Sequence, residues 1–146
     1  MNKKAAKPQP KKTGKIYGVI FAAGIVKLLI HGAAIVTALK MERSVFTVWE
    51  VGISAAVMVL SGLFLYSQHP GFGMAGTALY LVEKIFMLIP VLRVLTRIEY
   101  VPVSEWVSFG ADLLVKLLLI AFFIYADYQA VVWHRLEKGS YRSKER

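Results

Sequence analysis

The chain has no cysteine, so disulfides, a thiol nucleophile, thiolate-bound zinc and cysteine-held iron–sulfur clusters are all excluded. Histidine is rare, at His31, His69 and His134, and these three share no spacing that would build a metal site. Ser54, Ser61 and Ser108 occur without a base at readable distance along the chain, so no nucleophile motif can be read. With neither a nucleophile set nor a ligand set, the chain is expected not to be an enzyme and to use no cofactor. Acidic residues are also scarce, nine Asp and Glu against 18 Lys and Arg, for a formal charge of +9 over 146 residues. Such a balance suits nucleic acid when the basic residues form a patch. Here they sit mostly at the two ends, so topology and attraction to anionic lipid headgroups explain them and no nucleic-acid partner is expected.

Long polar stretches are missing from the interior too. Between Ile16 and Tyr128 the only breaks are "KMERS", "SQHPGFG" and "TRIEYVP". What fills the space between them is apolar: 57% of the chain is hydrophobic and the mean hydropathy is +0.56, above the usual apolar share of soluble domains. Four runs, about 16–39, 46–67, 73–95 and 104–126, each approach the ~20 residues a helix needs to cross the hydrocarbon core. Loops this short make consecutive helices antiparallel. The expected fold is therefore an all-α integral membrane protein, an up-down bundle of four transmembrane helices. The preceding segment, residues 1–15, is lysine-rich with two prolines and reads as a flexible basic tail, uncleaved. Residues 129–146 read as a basic amphipathic extension of the fourth helix.

Basic residues also predict orientation. Lys3, Lys4, Lys7, Lys11, Lys12 and Lys15 precede the first run, and Arg135, Lys138, Arg142, Lys144 and Arg146 follow the last. Only Lys40, Arg43, Arg93 and Arg97 fall on the opposite side. The bias places both termini in the cytoplasm of a plasma or bacterial inner membrane. Aromatic residues fit as interfacial anchors, with Trp49, Tyr100 and Trp106 on the outer side and Tyr17, Tyr66, Tyr125, Tyr128 and Trp133 on the inner.

Charged residues also occur inside the runs. Lys27 lies midway in the first, Glu83 and Lys84 in the third, and Asp112 and Lys116 in the fourth, within "ADLLVKLLLIAFF". Each costs about 2.5–3.5 kcal/mol at the centre of a span, so they must face one another, water or a partner. Helical spacing puts Asp112 above Lys116 and Lys27 above His31, while Tyr80 lies one turn from Lys84. Pro90 frees the carbonyl of Phe86 and is expected to kink the third helix. The candidate ligand-binding or ion-pair cluster is thus Lys27, His31, Tyr80, Glu83, Lys84, Asp112 and Lys116, with Glu50 near the outer boundary. Three lysines against two acids leave one positive charge unmatched, to be answered by Glu50, by loss of a proton or by an anionic ligand.

"GFGMAG" (71–76) has the spacing of the dinucleotide fingerprint, but that fingerprint needs a preceding β-strand, and glycines ending one helix and opening the next are expected instead. Ser54 and Ser61 are expected to hydrogen-bond between helices. The D-x-x-x-K of "ADLLVKLLLIAFF" resembles the last helix of microbial rhodopsins over one helix only; with four spans expected, it implies no retinal here. The expected function is a transport-type, anionic-ligand-binding or proton-binding role, as a homo-oligomer or within a larger membrane complex. The alternative is a non-catalytic accessory or scaffolding subunit docked through its intramembrane charges.

Overall fold

A computed structural model describes residues 14–40, 45–97 and 101–142. The basic tail through residue 13, Arg43, Tyr100 and residues 143–146 lie outside the described residues, as do the side chains of residues 45–47 and those beyond Leu136. Among the described residues the chain is helical, in four elements: α1 (Gly14–Lys40), α2 (Val45–Ser67), α3 (Pro70–Arg97) and α4 (Val103–Arg142). Three of them are long and apolar enough to cross a membrane, over Lys15–Lys40, Val48–Ser67 and Val103–Leu136. α3 has the length, at 28 residues, but carries Glu83, Lys84, Arg93 and Pro90 and is not among the three.

Only Gln68 and His69 separate α2 from α3. Gln68 takes a left-handed backbone (φ 54°) and donates its amide to the Phe64 carbonyl at 2.8 Å, closing the last turn of α2. His69 then caps α3, its Nδ1 accepting the Gly71 amide at 3.2 Å, and Pro70 occupies the first helical position, where a missing N–H costs nothing. The glycines of "GFGMAG" therefore lie inside the first turns of α3 rather than between helices, because capping falls to His69 and Pro70. Pro90 sits within α3 without ending it.

Contacts between helices form a ladder that fixes their directions. Tyr17 meets Gln68 at one end, Ile20 packs with Phe64 and Ala130, and Ala23 packs with Tyr80, Phe123 and Ala126. As α1 rises, α2 and α4 fall and α3 rises, which is the up-down arrangement. α1 packs on α2, α2 on α3, α3 on α4, and α4 returns to α1.

α4 docks through only part of its length. Phe123, Ala126, Asp127 and Ala130 are buried at the i, i+3, i+4, i+7 spacing of one helical face. Nearer its start, Val107, Leu114, Val115, Leu117 and Leu118 stay exposed. This half of α4 runs beside α3 with most of its side chains exposed, and borders a groove of about 210 Å³ with that helix.

Candidate functional site

The buried polar side chains form a line through the bundle with two linked halves. In the first, α1 contributes Lys27, α3 Thr77 and α4 Asp127, at 1%, 4% and 5% exposure respectively. Lys27 Nζ donates to Thr77 Oγ1 at 2.6 Å and to the Gly73 carbonyl at 3.2 Å, and lies 3.7 Å from Asp127 Oδ1. The Thr77 hydroxyl has one proton; it accepts from Lys27 and donates to Asp127 Oδ2 at 2.5 Å. The ammonium also stands 4.9 Å from the centre of the Phe123 ring, a favourable site for a cation held away from water.

Gly73 makes this approach possible. A Cβ at that position would come within 2.5 Å of Asp127 Oδ1 and 2.9 Å of Phe64 Cε2. Gly73→Ala is therefore expected to push the Asp127 carboxylate off Lys27 and to cost about 1–3 kcal/mol, the range for overpacking. Thermal unfolding of the purified variant in detergent measures this directly; an unchanged midpoint would show that Phe64 and Asp127 can move aside freely.

The second half lies one turn along α1. His31, fully buried, places Nδ1 2.8 Å from the Lys27 carbonyl and Nε2 3.1 Å from Glu83 Oε2. Glu83, 1% exposed, turns its other oxygen to Lys84 Nζ at 3.0 Å. A carbonyl only accepts, so Nδ1 carries a proton. In neutral imidazole Nε2 is then a bare lone pair, and it faces a carboxylate oxygen. The 3.1 Å contact requires a further proton between them, either on the ring or on the acid. Tyr80 braces this arrangement, edge-on to His31 at 5.5 Å and to Phe123 at 5.3 Å, with the Lys84 ammonium 5.0 Å from its ring centre. The two halves join where His31 Nδ1–H meets the backbone of Lys27.

Of the side chains singled out in the sequence, Lys27, His31, Tyr80, Glu83 and Lys84 come together. Asp112 and Lys116 do not enter the buried line. They bond to each other, one turn apart on α4, with side chains 56% and 35% exposed, and line the α3–α4 groove beside Lys84. Glu50 also stands apart, on a second groove of about 470 Å³ between α2 and α3, lined by Trp49, Glu50, Ile53, Val82, Glu83, Phe86 and Met87. Ser54 and Ser61 are buried but make no hydrogen bond between helices, contrary to expectation.

Asp127 and Thr77 are what sequence reasoning missed. Asp127 lies beyond the expected end of the fourth span, but α1 begins early enough for Lys27 to meet it. A signal existed: Asp112, Lys116, Phe123 and Asp127 are spaced 4, 7 and 4 residues apart, one helical stripe. With Asp127 counted, Lys27, Lys84 and Lys116 each have a carboxylate, and no lysine is left over. Among the described residues, two acids have no cation beside them: Glu50, half-buried on the α2–α3 groove, and Glu105, exposed in the first turn of α4.

Comparison with protein-family models, with curated proteins and with solved structures finds no match to this chain.

Proposed function

We propose that the chain is a multi-pass protein of the cell membrane, plasma or bacterial inner, with all four helices spanning and both termini cytoplasmic, and that its buried polar line binds and exchanges a proton in a transport-type role. The observation that carries this is the His31–Glu83 contact. It holds only while a proton is shared; without that proton a lone pair faces a carboxylate and the contact between α1 and α3 weakens. Such an element has two states that differ by one proton, which is what coupling protonation to helix movement needs. Intramembrane ionisable chains of this kind mark proton and substrate pathways in membrane proteins. The lipid-facing fit of α3 rests on the same line, since Glu83 and Lys84 are turned inward or satisfied by each other. Four helices enclose little space, so transport calls for a homo-oligomer.

A specific observation favours a second reading. The start of α4 carries Asp112 and Lys116 on a half that packs little within the chain, which suits an accessory or scaffolding subunit docked through that half onto a larger complex.

Histidine-labelled protein in lipid nanodiscs tests the proton directly. Nitrogen NMR of the His31 ring, with His69 and His134 replaced, is expected to show Nδ1 protonated throughout a pH titration and Nε2 exchanging a single proton. In Glu83→Gln that exchange is expected to vanish. If His31 titrates identically with and without the Glu83 carboxylate, no proton is shared and the proposal fails.

A further inference from the structure

We propose that the groove between α2 and α3 binds a lipophilic organic cation, a quaternary ammonium or phosphonium compound or an amphipathic amine, in exchange for the proton shared by His31 and Glu83. This builds on the proton-sharing role proposed above.

Charge decides the class of ligand. Lys27 is answered by Asp127, Lys116 by Asp112 and Lys84 by Glu83. Two charges remain: the shared proton of His31 and Glu83, and the carboxylate of Glu50, half-buried on the α2–α3 groove. Glu50 has no ion-pair partner among the described residues, and it lines the same groove as Glu83. Glu83 is 1% exposed and both its oxygens are held, by His31 and by Lys84, so Glu50 is the one carboxylate the groove offers a ligand, and the positive charge balancing it is the proton behind the Glu83 wall. An anion would meet the Glu50 carboxylate; a cation would answer it and displace the proton that balances it now.

Walls and size agree with that class. The rest of the lining is apolar or aromatic, with Trp49 at the rim, 67% exposed, and Phe86, Ile53, Val82 and Met87 around it. Aromatic faces and a carboxylate are the means by which proteins hold quaternary cations, which cannot donate hydrogen bonds. A small inorganic cation needs several oxygen ligands, and one carboxylate in an apolar groove does not supply them. At about 470 Å³ the groove falls within the ~300–1,000 Å³ of small-molecule sites and takes a compound with several rings or short chains.

The exchange balances in charge. A cation settles against Glu50, the shared proton leaves through the buried line or to water, and no covalent bond of the ligand changes. Proton loss also weakens the His31–Glu83 contact, so ligand entry and separation of α1 from α3 become one event.

Tetraphenylphosphonium and tetraphenylborate have nearly the same shape and opposite charge, which makes them matched probes. The full chain in lipid nanodiscs, carrying Trp106→Phe and Trp133→Phe so that Trp49 is the sole indole, is titrated with each and read by fluorescence, against empty nanodiscs for partitioning. The cation is expected to bind at least about tenfold tighter than the anion, with release of one proton per cation seen by calorimetry in buffers of different ionisation enthalpy. Glu50→Gln is expected to lose about tenfold in cation affinity, and Glu50→Asp to retain most of it. Equal binding of the two probes, undiminished cation binding by Glu50→Gln, or cation binding without proton release would each overturn the proposal. The two proposals fail separately, because selectivity between probes is read without protons and the His31 titration is read without a ligand.

Discussion

Asp127→Ala is expected to be among the most destabilising single substitutions in the chain, with a loss of about 3–5 kcal/mol. Lys27 is 1% exposed and would keep only Thr77, the Gly73 carbonyl and two ring faces. A neutral hydroxyl and a carbonyl can solvate part of an ammonium, but they do not answer its charge. Lys27→Met should cost a similar amount from the other side, since Asp127 would retain one hydrogen bond from Thr77. The double variant Lys27→Met, Asp127→Leu removes both charges together and is expected to lose less than either single change, because an apolar pair of similar volume replaces a buried ion pair at small net cost. Asp112→Ala provides the comparison. Its pair with Lys116 is exposed, and exposed i,i+4 pairs contribute under about 1 kcal/mol. Thermal or denaturant unfolding in one detergent would rank the four proteins. A loss in Asp127→Ala no greater than in Asp112→Ala would mean that Lys27 finds another partner or escapes to water.

The contrast between these two pairs also marks how far the sequence could be read. Helix number and limits were legible because apolar runs and short polar breaks leave few alternatives: the second run spans about 46–67 and α2 lies at Val45–Ser67. Lys27 and His31 were legible as one face because i,i+4 spacing within a helix is local geometry. Partners across helices were not. Asp127 lies two residues from Tyr125 and next to Tyr128, in a setting that resembles a membrane interface, and only the register of α4 against α1 brings it to Lys27. Register depends on packing volume, on Gly73 admitting a carboxylate and on Phe123 lying under the ammonium, none of which a hydropathy pattern carries. The same limit explains Asp112 and Lys116. Their mutual pairing follows from spacing, but that their half of α4 stays exposed depends on what the other helices can cover. Charge counting was informative only with the register in hand. Once Asp127 is placed beside Lys27, each of Lys27, Lys84 and Lys116 has a carboxylate, and the apparent surplus of lysine disappears.

Two substitutions at Glu83 separate charge from shape and carry the second large effect. Glu83→Ala leaves His31 and Lys84 beside an empty space, and the loss is expected to be about 3–5 kcal/mol, because an ammonium 19% exposed along its side chain and a fully buried imidazole lose their common acceptor. Glu83→Gln should behave differently. Its amide oxygen can accept from Lys84 as Oε1 does now, and its N–H can donate to Nε2 of a neutral His31 whose Nδ1–H still bonds the Lys27 carbonyl. Every donor keeps an acceptor without any shared proton, so Glu83→Gln is expected to unfold within about 1 kcal/mol of the native protein. It would hold α1 against α3 permanently, where Glu83 does so only when protonated or paired with imidazolium. Because the native contact holds only with the proton present, the native chain should lose stability relative to Glu83→Gln as pH rises and that proton is lost. Parallel stability curves for the two proteins would show that the Glu83 contact does not depend on a proton, and the two-state element would be gone.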